Sequence, residues 1–233
     1  MNMPASAGTP ERAPTTFRLP TSLATDSDAA ATLALTRYYG HPYLGDDAYV
    51  GAHFDSWSST GDREGEADRF TADDLVAVSF LSVQIPPRAA RAILDTEAET
   101  LNAHLAAIGP DRDLVDESDL LAPGWPAWDL ETALWELPGI GRTKATKLIA
   151  RKRPRLYPIW DSVVSEVLGT TRAHLNPVRE ALRADDGALH RRLLSLREEA
   201  DLPVEVSVLR VFDVIAWMDG KNRGLGDSAD LGR

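Results

Sequence analysis

The run Leu137-Pro138-Gly139-Ile140-Gly141, with Arg142-Thr143-Lys144 directly behind it, holds the residues whose types and spacing suit a chemical task. A Pro-Gly-x-Gly turn that opens a helix leaves the first backbone N–H groups of that helix without carbonyl partners. Partial positive charge gathers there, so the turn suits a phosphate. Between Pro138 and Trp160 the chain carries seven basic residues (Arg142, Lys144, Lys147, Arg151, Lys152, Arg153, Arg155) and no Asp or Glu. The other 18 Lys/Arg share the rest of the chain with all 36 Asp/Glu. A single basic island on a protein of net charge −11 reads as a local phosphate contact, not a coat for nucleic acid.

Two helices must hold this turn. Asp129 is the expected N-cap of the first, whose stripe is Leu130, Ala133, Leu134 and Leu137. Pro138-Gly139 ends it, since proline cannot continue the ladder and glycine accepts a left-handed turn. The second runs from about Arg142 to Lys152, making a hairpin over 129–152. Ala145, Leu148 and Ile149 face inward, and Lys144, Lys147 and Arg151 form a basic face at i, i+3 and i+7. Gly141 leaves room for a sugar-phosphate backbone. On these grounds Gly139, Ile140, Gly141, Arg142, Thr143, Lys144, Lys147 and Arg151 are the expected DNA contacts, with Lys144, Lys147 or Arg151 turned toward solvent.

The segment resembles the helix-hairpin-helix of the DNA glycosylase superfamily that includes endonuclease III and the adenine mismatch glycosylase. In that family Leu-Pro-Gly-hydrophobic-Gly opens the hairpin, and an essential Asp follows the Leu by 24 residues. Asp161 stands at that spacing from Leu137, within Pro158-Ile159-Trp160-Asp161-Ser162. The resemblance spans roughly Trp128 to Leu168. It implies an all-α, two-lobed helical fold with Asp161 in the cleft, double-stranded DNA as partner, and a monovalent cation on the carbonyls of Trp135, Leu137 and Ile140. It also implies the chemistry: an ionised Asp161 stabilises the oxocarbenium-like sugar as a flipped modified or mismatched base departs. The departures matter too. Thr143 stands where bifunctional members carry a nucleophilic lysine, so a Schiff-base lyase step is not expected. Glu166 stands where the family often has Arg. With no cysteine the four-cysteine iron–sulfur cluster is impossible. These changes leave a monofunctional N-glycosylase. The alternative is a non-enzymatic hairpin module in which Asp161 only caps the helix at Ser162, and a weaker reading is a protein-interaction module.

The rest of the chain sets bounds. With 233 residues and 43% apolar content it can bury a substantial core. The absence of cysteine suits a reducing cytoplasm, no apolar stretch approaches a membrane span, and no signal-peptide core precedes the domain. Arginine outnumbers lysine 21 to 4, which hints at a GC-rich bacterial genome. Residues 1–26 read as a disordered arm, 27–219 as the helical region and 220–233 as a flexible tail. Helices are expected near 27–39, 72–83, 87–95, 97–108, 118–121, 162–168, 177–184, 188–200 and 206–217. The aromatic stretch 40–70 reads as a packed surface loop more than a substrate-facing one. Trp125, Trp128, Trp135 and Trp160 read as core, and Asp213 as half of a structural ion pair with an arginine. The five histidines have no metal-ligand spacing, so a metal-dependent nuclease is not expected.

Overall fold

A computed structural model describes residues 17–25, 27–59 and 64–226. Among these the regular elements are all helical. They are α1 (Ala29–Tyr39), α2 (Ala72–Ser79), α3 (Pro87–Arg91), α4 (Ala98–Ala107), α5 (Pro126–Trp135), α6 (Arg142–Lys152), α7 (Ser162–Leu168), α8 (Leu175–Glu199) and α9 (Val208–Asn222), with short 3₁₀ turns and one π turn at Ala92–Thr96 between them. The all-α expectation holds. Among the described residues no helix is long and apolar enough to cross a membrane.

The helices pack in two sets over one continuous apolar core. In the first, α9 touches α1, α7 and α8. In the second, α6 lies against α2 and α5, and α5 against α4. The α9 contact with α7 is close because Gly220 faces Val163, where a Cβ would stand 2.3 Å from Cγ1. That explains why α9 continues past Trp217 through Gly220, which sequence alone assigns to a tail. Residues 227–233 of that tail lie outside the described residues. At the other end, part of the expected arm is folded. Leu23 is buried, Phe17 stacks on Phe212 at 6.3 Å, and the Arg18 N–H donates to the Leu168 carbonyl at 3.0 Å. Residues 1–16 and 26 lie outside the described residues.

Local signals account for most boundaries. Thr71 and Asp74 form a capping box at the head of α2, and Asp161 caps α7. Non-helical backbone at Ala184–Gly187 divides α8 close to the expected break between 184 and 188. Two boundaries differ. The first hairpin helix begins at Pro126 with Trp125 as N-cap, because proline fits the first turn, where its missing N–H costs nothing. Asp129 therefore sits one turn inside, its carboxylate accepting the Gly124 N–H at 2.9 Å. The short helix expected at 118–121 is displaced to a 3₁₀ turn, Leu114–Asp116.

Candidate functional site

The hairpin turn is built as its residues require. Gly139 has φ +82°, a left-handed value that favours glycine, and a Cβ there would meet Pro86 Cγ at 2.8 Å. The Ile140 N–H closes the turn onto the Leu137 carbonyl at 3.0 Å. Gly141, the N-cap of α6, is extended and exposed, and a Cβ on it would meet nothing within 4 Å. Among the described residues the backbone N–H groups of Gly141, Arg142 and Thr143 have no protein acceptor. The Lys144 ammonium curls back to the Gly139 carbonyl at 2.8 Å. The Arg142 guanidinium lies over two indoles, 5.3 Å from the Trp135 ring and 5.5 Å from the Trp160 ring.

The basic face expected on α6 is not a solvent face. Lys147 and Arg151 are buried, at 3% and 4% exposure, and so is Arg153. Because α5 covers one side of α6 and α2 another, every residue from Ala145 to Arg151 is buried, and the helix has no long polar stripe. Arg151 donates to the carbonyls of Phe54 and Trp57 and pairs with Asp74 at 3.5 Å. Arg153 donates to the carbonyls of Gly109, Ala67 and Leu105. Lys152 pairs with Asp74 at 2.6 Å, and Arg155 with Asp113. Much of the basic island thus ties loops to the core. Arg142 and Lys144 are its members at the mouth of the turn.

Lys147 goes further. It lines a cavity of about 310 Å³ between the two helix sets, and Asp161 lines the same cavity. The ammonium donates to the Leu81 carbonyl at 2.9 Å and lies 3.5 Å from Asp161 Oδ2. Asp161 Oδ1 meanwhile accepts the Val163 N–H at 3.0 Å, so the carboxylate caps α7 with one oxygen and turns the other toward the ammonium. The segment leading to it is pinned to α6, since Thr146 Oγ1 accepts the Trp160 N–H at 3.0 Å. The Asp161 side chain keeps 20% of its exposure. Asp161 therefore lines this cavity with its carboxylate shared between the α7 cap and Lys147.

Aromatic and charged groups complete the cavity. Tyr38 and Tyr49 stack at 5.5 Å, and Trp217 meets both edge-on at 5.9 Å. Tyr49, Val50 and Gly51 come from the stretch read as a surface loop, and all three line the cavity, although Ala52, Phe54 and Asp55 just after them are buried. Gly51 is needed there, because a Cβ would overlap the Tyr38 hydroxyl at 2.2 Å. Arg210 donates to Tyr38 Oη at 2.6 Å and to Asp55 at 3.2 Å, and pairs with Asp213. The structural ion pair expected for Asp213 is therefore formed, yet its Oδ1 has no hydrogen-bond partner and the residue lines the cavity. Burial pushes the Asp213 carboxyl up to about 6, with Arg210 opposing and Asp161 adding to the rise. Burial also lowers the Lys147 ammonium, against the pull of Asp161.

Sequence reasoning missed Tyr38, Tyr49, Lys147 as a cavity residue, Arg210 and Trp217. These come from separate helices and a loop, and no linear spacing joins them. Ile140 stays in the turn but is buried in the core rather than presented to a partner, and Thr143 is in the first turn of α6. Trp135 is not core: it is 42% exposed beneath Arg142. Glu166 is on the exposed side of α7, away from this wall.

Residues 31–220 match the model of a family of unknown function, DUF6308, and the chain belongs to that family. No curated protein and no solved structure matches it.

Proposed function

We propose that the protein binds duplex DNA through the 139–144 turn and hydrolyses the N-glycosidic bond of a modified or mismatched base at Asp161, without a lyase step. One observation carries this reading: the carboxylate at the spacing of the glycosylase motif lines an aromatic cavity between two helix sets, and the open N-terminus of α6 belongs to the same hairpin. The amides of Gly141, Arg142 and Thr143 would take a phosphate, with Arg142 and Lys144 beside it. A base turned out of the stack would enter between Tyr38, Tyr49 and Trp217. Asp161 would stabilise the positive charge that develops on the sugar as the base leaves and orient the attacking water. Thr143 has no amine to form a Schiff base, and the Lys147 ammonium already has two acceptors.

A monovalent cation on the carbonyls of Trp135, Leu137 and Ile140 belongs to the same proposal as a bridge to the phosphate. The Leu137 carbonyl already takes the Ile140 N–H, and the Lys144 ammonium on Gly139 gives the turn a positive charge of its own.

The non-enzymatic alternative is favoured by a separate observation, the dual engagement of Asp161 as cap and ion-pair partner. Asp161→Asn separates the two, because the amide keeps a capping oxygen and loses the charge. Across a panel of damaged and mismatched duplexes, a glycosylase loses release of free base by at least about a hundredfold, comparable to removing one transition-state stabiliser, while duplex affinity is kept. Base release by the variant at the wild-type rate sinks the catalytic role. A wild-type protein that binds duplexes and releases nothing leaves the binding module as the reading.

A further inference from the structure

A second cavity, of about 140 Å³, lies beside the hairpin, between α5, the start of α6 and the segment 172–176. Trp128 and Trp135 are among its walls and Arg142 is at its edge. Two buried polar side chains line it, Glu131 at 7% exposure and His174 at 6%. The Tyr157 hydroxyl donates to Glu131 Oε2, yet Oε1 of the same carboxylate has no partner, and neither has His174 Nε2. Buried polar atoms in folded proteins are almost always paired, so two unpaired ones lining one cavity call for something that satisfies them.

We propose that this cavity is a binding site for a single planar nitrogen heterocycle of the nucleobase class. Its volume exceeds what a few waters need and falls short of a drug-sized ligand, which suits one ring. Two indoles in the wall, Trp128 and Trp135, give a flat π-system aromatic surface to meet. Glu131 Oε1 is an acceptor, which turns away a carboxylate or phosphate and asks for a ring N–H or exocyclic amine. Burial drives the His174 imidazole down to about 3, so the ring is neutral and offers one donor and one acceptor nitrogen. An N–H beside a ring nitrogen or carbonyl, the edge every nucleobase carries, matches that pair. The α6 amides proposed above to take a phosphate belong to the same hairpin, beside Arg142 at the edge of this cavity. The inference needs neither the 310 Å³ cavity nor catalysis.

The test is quenching of intrinsic tryptophan fluorescence by free adenine, cytosine and uracil, with inorganic phosphate and benzene as controls. At least one base should quench saturably in the millimolar range or below, and the controls should not. Thr132 and Ala173 are exposed positions on the cavity wall, so Thr132→Phe and Ala173→Phe should block entry without disturbing the core. Each should weaken base binding at least tenfold, as should Glu131→Gln. Absence of saturable quenching by every base overturns the site, as does quenching that survives both blocking variants. Quenching by benzene as strong as by the bases would mark an apolar cavity, and quenching by phosphate alone an anion site; either overturns it. Duplex binding by the same variants is recorded alongside, so that loss of this site and loss of the hairpin contact are told apart.

Discussion

Lys147 holds three things at once: the Leu81 carbonyl at the end of α2, the Asp161 carboxylate at the head of α7, and a place on the cavity wall. An ammonium so buried is retained only where acceptors meet it. Removing it with Lys147→Met leaves the Leu81 carbonyl without that donor and Asp161 without its counter-charge. The expected loss is about 1–3 kcal/mol, read as a lower midpoint of thermal or urea unfolding. The cost should shrink when Asp161→Asn is already present, because part of it belongs to the pair, and a double-mutant cycle measures that part. Strict additivity would mean that the 3.5 Å pair contributes nothing and that Lys147 serves Leu81 alone. At this scale the sequence showed Asp161 as the cap of α7, since an aspartate directly before a helix start is a local signal. It misplaced Lys147, because the i, i+3, i+7 rule says which residues share a face and not whether that face meets water.

The hairpin separates two uses of glycine that look alike in the sequence. Gly139 is conformational, with a positive φ and Pro86 against it, whereas Gly141 is extended, exposed and has empty space where its Cβ would be. Gly139→Ala should therefore destabilise the fold by about 1–2 kcal/mol, the cost of a left-handed L-residue, before any clash with Pro86 is counted. Gly141→Val should leave the unfolding midpoint nearly unchanged and weaken duplex binding equally for every sequence, since phosphate contacts carry no sequence information. Unaltered affinity in Gly141→Val, measured at constant salt, would remove the hairpin from the DNA interface. The elements themselves were readable wherever a local device sets them: the capping box at Thr71, the cap at Asp161, the break in α8. They were misread where tertiary packing decides. Gly220 lets α9 press on α7 and continue, and the Tyr49–Gly51 loop folds onto Tyr38 to become a cavity wall.

At the scale of the whole molecule, the charge of the basic island goes mostly into holding the fold together. Of the seven basic residues between Pro138 and Trp160, Lys147, Arg151 and Arg153 are buried, while Lys152 and Arg155 are paired with aspartates. Composition shows the island and cannot show this, since an inward arginine that satisfies three carbonyls looks the same in a sequence as an outward one. The consequence is measurable. Each phosphate neutralised by a basic side chain contributes about −0.9 to the slope of log affinity against log salt on B-DNA. On the proposed duplex contact, an island wholly available to DNA would give a slope of about −6, whereas Arg142 and Lys144, with Arg172 on the second cavity, would give about −2 to −3. The net charge of −11 adds long-range repulsion that salt relieves, so the observed slope should be no steeper than that and affinity should stay modest. Titrations of one duplex at several salt concentrations decide the matter. A slope steeper than about −5 would place the DNA-binding surface outside the hairpin, on basic residues that the turn does not gather.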